Sequence, residues 1–574
     1  MEFLLFFASL FIFMGILFLR EGLQAKKKEK LFIQSLYDRY GEKPTKEIKP
    51  ERFERIPSYY ERHIQPGQID DITWNDLNMD ELYKRMNYTF SASGEEYLYY
   101  RLRNAGNDKA SLEHLEEVVR FFEENADERV KIQYLMHQLG HSGKYSLYDY
   151  MENLDFLGER SNKKHIFMNL LFIPALILMP FQFTIGLMSL LGLIIYNILT
   201  YFKEKGEIEP YIVSFSYVMR LFTICEKLKK INVPVCNEEW KLLEKHCVPL
   251  RKMKKGSFLV FSMSNSIHSG NPIDMLLDYV RMVFHIDLIK FNNMLATLRF
   301  HLKDVDVLIA QVGFLETAIS IGALRYSLPE YCVPKFNDVK KGMTDEGLFF
   351  AIENAYHPLI EEAVKNSIST ENGVLITGSN ASGKSTFLKT VAVNAILAQT
   401  IHTCTASAYH APCFQIATSM ALRDNMEGGE SYYIVEIKAL KRILDMAARE
   451  DSPILRDRPV LCFVDEVLRG TNTVERIAAS TQILKSLAGQ KILCFAATHD
   501  IELTELLKED FSNYHFEEDI IDGDIVFNYR LLPGKATTRN AIRLLSLMGY
   551  DAHIIEMASE QAKRFIETGS WSAQ

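Results

Sequence analysis

No two of the eight cysteines form a CxxC pair, and the spacing of Cys225, Cys236, Cys247, Cys332, Cys404, Cys413, Cys462 and Cys494 matches no zinc-ligand set. No metal centre is implied by them, and they read as buried or free thiols in a reducing compartment. A basic excess is also missing: 65 Lys and Arg stand against 74 Asp and Glu, for a net charge of −9. That balance argues against a protein that coats nucleic acid by bulk charge. It leaves room for a local patch such as Arg251–Lys255, which also reads as a solvated helix end or loop. Internal repeats and low-complexity tracts are absent. What is present is 48% hydrophobic and 24% charged, an ordinary globular composition. At 574 residues the chain is too long for one core, and about three domains are expected.

Charge is missing locally as well. Phe3–Leu19 carries none and would extend about 25 Å as a helix, close to the hydrocarbon thickness of a bilayer. Glu2 precedes the run, and Arg20 and Lys26-Lys27-Lys28 follow it, which is the wrong arrangement for a cleaved signal peptide. A retained anchor is expected, with the rest of the chain entering the cytoplasm. Ile166–Phe202 is a second charge-free stretch, 37 residues long, with Pro174, Pro180 and Gln182 near its middle. Lys163, Lys164, Lys203 and Lys205 flank it. Two membrane spans joined by a tight turn would put both basic flanks in the cytoplasm; a buried soluble hairpin is the alternative. The expectation is a multi-pass protein of the cell membrane.

Five segments follow from this pattern. Residues 1–69 read as an anchor and a juxtamembrane linker, and 70–165 as the first part of a helical core. The stretch 166–202 reads as the two-span hairpin, 203–340 as the second part of the core, and 341–574 as a separate α/β domain. Leu112, Leu115, Val118, Val119 and Phe122 recur at helical spacing. A long pattern from Asp287 to Tyr326, with Leu298, Leu302, Val305, Leu308 and Val312 on one stripe, predicts a lever or strut. Pro329 and Pro334 punctuate its end. Beyond 340, Gly373–Thr377, Pro459–Val464 and Lys491–Ala497 are short apolar strands between helical segments, predicting a parallel sheet covered on both faces.

Chemistry collects at the ends of those strands. Gly378-Ser379-Asn380-Ala381-Ser382-Gly383-Lys384-Ser385, followed by Thr386, matches G-x-x-x-x-G-K-[ST] between a strand and a helix. Glycines there let backbone N–H groups turn inward around phosphate oxygens, and the helix N-terminus adds its positive end. Lys384 would reach the β- and γ-phosphates of ATP, and Ser385 would ligate Mg²⁺. A loop of this pattern without nucleotide is the bland alternative. Asp465 and Glu466 follow the second strand; the first would hold Mg²⁺ and the second polarise the attacking water, although an acidic pair at a strand end also reads as a helix cap. His499 ends the third strand, where it would sit beside the γ-phosphate. Asp424–Tyr433 precedes a helix, and Ser431 reads either as its cap or as an anion site closing over a partner subunit's nucleotide.

In this order the motifs resemble the MutS mismatch-repair family. The loop Thr377–Thr386 is similar to that family's phosphate loop, including its Asn380, and Asp465–Thr473 to its metal strand and the loop after it. Ala497–Asp500 resembles its histidine switch, Glu427–Ser431 its trans-acting signature, although two neighbours differ from the usual Ser and Arg, and Tyr356–Leu359 the opening of its ATPase domain. More weakly, Leu77–Asp80, Met86–Gly94 and Leu98–Arg103 look like the start of its helical core. The resemblance implies an ABC-type α/β ATPase domain with a C-terminal helical dimerisation segment, a helical core and lever, a homodimer, and adenine contacts within Tyr356–Asn366. Departures accompany it. Nothing matches the mismatch-reading domain with its Phe-x-Glu wedge, no insertion long enough for a full DNA clamp lies between 207 and 330, and the hairpin interrupts the core. Two readings compete: a membrane-anchored, MutS-like dimeric ATPase that engages double-stranded DNA, and an ATP-driven switch acting on a protein or lipid partner. Transport is weaker, because the spans offer no charged lining.

Overall fold

Uncharged from Phe3 to Leu19 and free of proline, the N-terminal stretch forms one helix, Glu2–Asp38. The computed structural model describes residues 2–45, 47–106, 109–143, 146–257, 260, 272–337, 343–344, 347–379, 382–420, 432–449, 455, 458–468, 472–489, 491–521, 524–536, 542, 545 and 548–568, with the backbone alone for 2–19. The first helix does not stop at Arg20, where an anchor was expected to give way to a linker. Phe32 packs edge-on to Phe90 at 5.9 Å, and Leu36 is buried. Two short helices follow, Pro50–Phe53 and Ser58–Arg62, and Ile56 and Tyr59 are buried. Residues 20–64 are therefore folded structure, held by apolar side chains that lie hidden among the charges.

The chain divides into two units, one of residues 1–64, 86–100 and 114–327, the other of residues 65–85, 101–113 and 328–574. The first is helical. Its central helix, Leu302–Ser327, buries Val305, Leu308, Val312, Leu315 and Ile319. It also buries charge, but with partners. Glu316 accepts from the Phe90 N–H at 2.7 Å and from the Ser91 hydroxyl. Arg325 donates to both oxygens of Glu116, at 2.6 and 3.1 Å. The predicted lever is not one rod. His301 leaves helical geometry (φ −121°, ψ 25°), separating Ile286–Phe300 from Leu302–Ser327, and its imidazole bonds Asp304 in the first turn of the second helix at 2.7 Å.

The second apolar stretch is a helical hairpin. One arm consists of Lys163–Leu170 and Phe172–Leu178, the turn falls at Met179–Gln182, and the other arm begins the 46-residue helix Phe183–Leu228. That helix continues through Lys203, so no boundary falls where a separate span was expected to end. The first arm, from Lys163 to Leu178, is about 24 Å long, close to but under one hydrocarbon thickness. Most apolar side chains on both arms face outward; Phe181 is 81% exposed and Met188 67%. At its foot the hairpin is pinned. Asn169 and Asn197 donate to the carbonyls of Phe284 and Val283 at 2.7 and 2.8 Å, satisfying the open end of the helix Pro272–Phe284.

The second unit is α/β. Its larger sheet has six strands in the order Leu532–Pro533, Phe511–His515, Gly373–Thr377, Ile492–Thr498, Val460–Asp465 and Gln415–Ser419, all parallel except the first. The strands Gly373–Thr377, Ile492–Thr498, Val460–Asp465 and Gln415–Ser419 are almost wholly buried, as continuous apolar runs in a parallel sheet must be. Leu440 and Ile443 of helix Tyr432–Ala447 and Leu484 of helix Thr473–Ser486 share one hydrophobic cluster with Cys462, Val464 and Cys494. A smaller four-stranded sheet holds Lys335–Phe336, Ala408–Ala411, Phe350–Ala355 and Asn366–Thr370. Residues 70–85 and 101–113, expected in the helical core, and 65–69, expected in the linker, group with this unit. Asp76 accepts from the Thr418 hydroxyl at 2.7 Å and the Met420 N–H at 2.9 Å, occupying polar groups on the outermost strand. Arg458 donates to the carbonyls of Ala105 and Gly106 at 3.1 and 3.0 Å.

Candidate phosphate-binding site

Strand register assembles the site. Thr377 pairs with Thr498, and Ala497 with Asp465, so three neighbouring strands end level with one another. The loop from Gly378, the pair Asp465-Glu466 and His499 therefore emerge at one carboxyl edge, where ligands collect in open α/β sheets.

Two glycines allow the loop. Gly378 has φ +146°, and a Cβ there would fall 2.6 Å from the Phe516 carbonyl oxygen. Gly383, φ +109°, stands at the N-terminus of helix Lys384–Ile401. Lys384 folds back over the loop, donating to the carbonyls of Gly378 and Ser379 at 2.8 and 2.7 Å and lying 3.5 Å from His499 Nε2. Burial lowers the Lys384 ammonium to about 8, against the pull of Asp465, Glu466 and Glu518. Ser382 is buried, with its hydroxyl on the Ser379 carbonyl at 2.8 Å, whereas Ser385 and Thr386 are exposed. Asn380 and Ala381 lie outside the described residues, as does Ser431 with the rest of its signature.

Asp465 and Ser385 are brought together. Burial raises the Asp465 carboxyl, and Glu466 pushes it the same way; the hydrogen bond from Ser385 and the charges of Lys384 and His499 oppose them. Glu466 adopts φ +57°, a turn that swings it off the strand axis, and its carboxylate lies 2.8 Å from His499 Nε2. Among the described residues no three His, Cys, Asp or Glu side chains form a metal cluster. One hydroxyl and one carboxylate nevertheless suit Mg²⁺, which commonly takes one or two protein oxygens and leaves its other positions to phosphate and water.

Four features were not legible from motif spacing. Glu518 accepts from the Ser379 hydroxyl at 2.8 Å, placing a carboxylate on the loop meant for anions. Glu436, buried in helix Tyr432–Ala447, accepts from the Leu468 N–H and so ties the segment after Glu466 to the helix that follows the Ser431 signature. Arg476 grips Asp500 through two bonds, at 2.6 and 2.9 Å, fixing the turn that carries His499. A cavity of about 400 Å³ beside the loop is lined by His357, Ile360, Val364, Phe387, Phe516 and Tyr529. Three of these come from the segment where adenine contacts were expected. Burial lowers the His357 imidazole to about 4, so at neutral pH the cavity presents an uncharged ring.

Together these features can cradle a polyphosphate, hold a hard cation through oxygens and orient a water beside Glu466.

Residues 374–566 match the model of MutS domain V.

The whole assembly of loop, carboxylate pair and histidine falls inside that match. The chain is 31% identical to the DNA mismatch repair protein MutS of Thermus aquaticus over 246 residues, 42% of this chain and 28% of that protein. It is 30% identical to MutS of Pseudothermotoga lettingae over 263 residues (44% and 30%), and 28% identical to MutS of Lactobacillus delbrueckii subsp. bulgaricus over 295 residues (49% and 32%). The chain thus spans less than a third of the length of these relatives. The mixed helical and α/β architecture agrees with this likeness.

Proposed function

We propose that this chain binds ATP at Gly378–Thr386 and hydrolyses it. The observation that carries this reading is the convergence of Lys384, the Ser385–Asp465 pair and the Glu466–His499 pair at one strand edge inside the region similar to MutS domain V. Lys384 would leave its loop carbonyls for the β- and γ-phosphates. Ser385 and Asp465 would hold Mg²⁺, which neutralises charge on the phosphate oxygens when bound. Glu466 would accept a proton from the attacking water, with His499 holding the carboxylate in place. The cavity at His357, Phe387 and Tyr529 would take the base.

In this reading ATP closes a homodimer, with Ser431 of each subunit completing the other's site. The hairpin 166–202 holds the protein at a membrane, the ATPase lying on the cytoplasmic side, and the MutS-like portion engages double-stranded DNA. The second reading, a switch on a protein or lipid partner, is motivated by the outward-facing hairpin and the acidic balance.

The test is Mg²⁺-dependent phosphate release from ATP by the detergent-solubilised protein. Wild type should turn over, and Lys384→Met should lose nucleotide binding. Turnover undiminished in that variant would overturn the site. Duplex DNA binding that falls steeply with salt supports the DNA reading, whereas no binding at low salt favours the partner switch.

A further inference from the structure

Where the hairpin's apolar surface ends, a polar pocket opens. A cavity of about 350 Å³ is lined by Arg160, Lys164, Lys203, Glu204 and Glu207, with His165 behind them. Its position is set by the sequence. Lys164 comes two residues before exposed Ile166, and Lys203 directly follows exposed Phe202, so charge begins on both arms at this level. Lys164 lies 3.8 Å from Glu204, which joins the arms across the pocket. If the hairpin lies in a bilayer, this is the depth of the headgroups.

We propose that this pocket binds the headgroup of a phosphatidylethanolamine-type phospholipid, with the phosphate on Arg160, Lys164 and Lys203 and the ammonium on Glu204 and Glu207. The proposal rests on the membrane reading of the hairpin. Arg160 is the anchor. Its side chain is only 12% exposed, it reaches Glu207 at 2.5 Å and Glu204 at 4.0 Å, and its buried Nε has no acceptor. A phosphate oxygen that takes the place of Glu207 would meet the guanidinium edge-on, the geometry in which arginine binds phosphate best. Glu207, about half exposed on the rim, is the partner that can swing away. His165 is held by Glu204 at 3.2 Å and His285 at 2.8 Å and so serves as a wall.

Charge balance selects the headgroup. Three cations (Arg160, Lys164, Lys203) face Glu204 and Glu207, with Glu159 also at the wall. A pocket that carries both signs side by side suits a zwitterion. A primary ammonium can donate to Glu207, which choline cannot do and glycerol does only as a neutral group.

The full chain, incorporated in nanodiscs of phosphatidylethanolamine, phosphatidylglycerol and phosphatidylcholine in equal parts, would be washed in detergent and weighed by native mass spectrometry with its retained lipid. One phosphatidylethanolamine per chain is expected. Lys164→Ser with Lys203→Ser, both solvent-facing changes, should cut its retention roughly tenfold, the loss expected for charge-assisted phosphate contacts. Glu207→Gln should erase the preference for ethanolamine over glycerol. Equal retention of all three lipids by wild type, or unchanged retention by the variants, would overturn the proposal. Flotation with vesicles of the same composition separates the two claims: a protein that floats but retains no phosphatidylethanolamine refutes the pocket alone, and one that does not float refutes the membrane reading as well.

Discussion

Among the described residues, two helices of the helical unit are long and apolar enough to cross a membrane, yet they meet opposite surroundings. In the most apolar stretch of Phe183–Leu228 only 11% of residues are buried, against 78% in Leu302–Ser327. Composition does not separate them; the handling of charge does. The buried helix carries Glu316 and Arg325 inside the protein, where each meets matched hydrogen-bond partners, as an interior requires. The exposed one carries no charge from Phe183 to Phe202, and its large side chains point outward on most sides. A helix apolar all round and left uncovered needs an apolar neighbour, which in the reading proposed above is a bilayer.

The largest effects should come from placing the same charge in each helix. Val312→Asp puts a carboxylate among fully buried neighbours and should cost more than about 4 kcal/mol, enough to unfold the unit. Leu191→Asp on the exposed arm should leave thermal stability in detergent within about 0.5 kcal/mol while weakening extraction into the membrane fraction. Equal destabilisation by the two would break the comparison. Next comes Arg325→Ala, which removes two of the bonds to the buried Glu116 carboxylate and leaves it the exposed Arg120 at 2.8 Å, and should cost about 2–3 kcal/mol by denaturant melts.

Lys384 sharpens the point, since it is a buried charge kept for a task. Its folded value of about 8 lies below the unfolded 10.5, so the folded state resists protonation. The penalty is fully present below about pH 8 and is relieved as pH rises toward 10.5, and stability should climb with pH across that window. Lys384→Met should therefore raise stability of the nucleotide-free protein at pH 7 by about 1–2 kcal/mol while ending nucleotide binding. Stability that falls on this substitution would contradict the burial argument. Smallest is Glu518→Gln, which removes a carboxylate from the loop and should tighten ATP binding by about threefold to tenfold, read by equilibrium titration.

How much of this was legible in the sequence follows the same division. The three apolar strands and the residues at their ends were legible because a parallel sheet writes itself as short continuous runs, and a phosphate loop has fixed spacing. The stripe Leu112, Leu115, Val118, Val119 and Phe122 was legible from its period, and all five are buried. What escaped were contacts made across long separations. Asp76 reaches Thr418, and Glu518 reaches Ser379, with no local pattern to announce either. Residues 20–69 looked like a linker because their few apolar anchors, Phe32, Leu36, Ile56 and Tyr59, are outnumbered by charges. The break at His301 is a single-residue departure inside an otherwise continuous helical period.

The central claim is that Glu466 activates water at a phosphate site built from Lys384, Ser385, Asp465 and His499. Its most direct test is the identity of the nucleotide bound to Glu466→Gln after incubation with Mg²⁺ and labelled ATP. The account predicts intact ATP retained on the variant and ADP on the wild type. ADP formed at the wild-type rate by Glu466→Gln would contradict it.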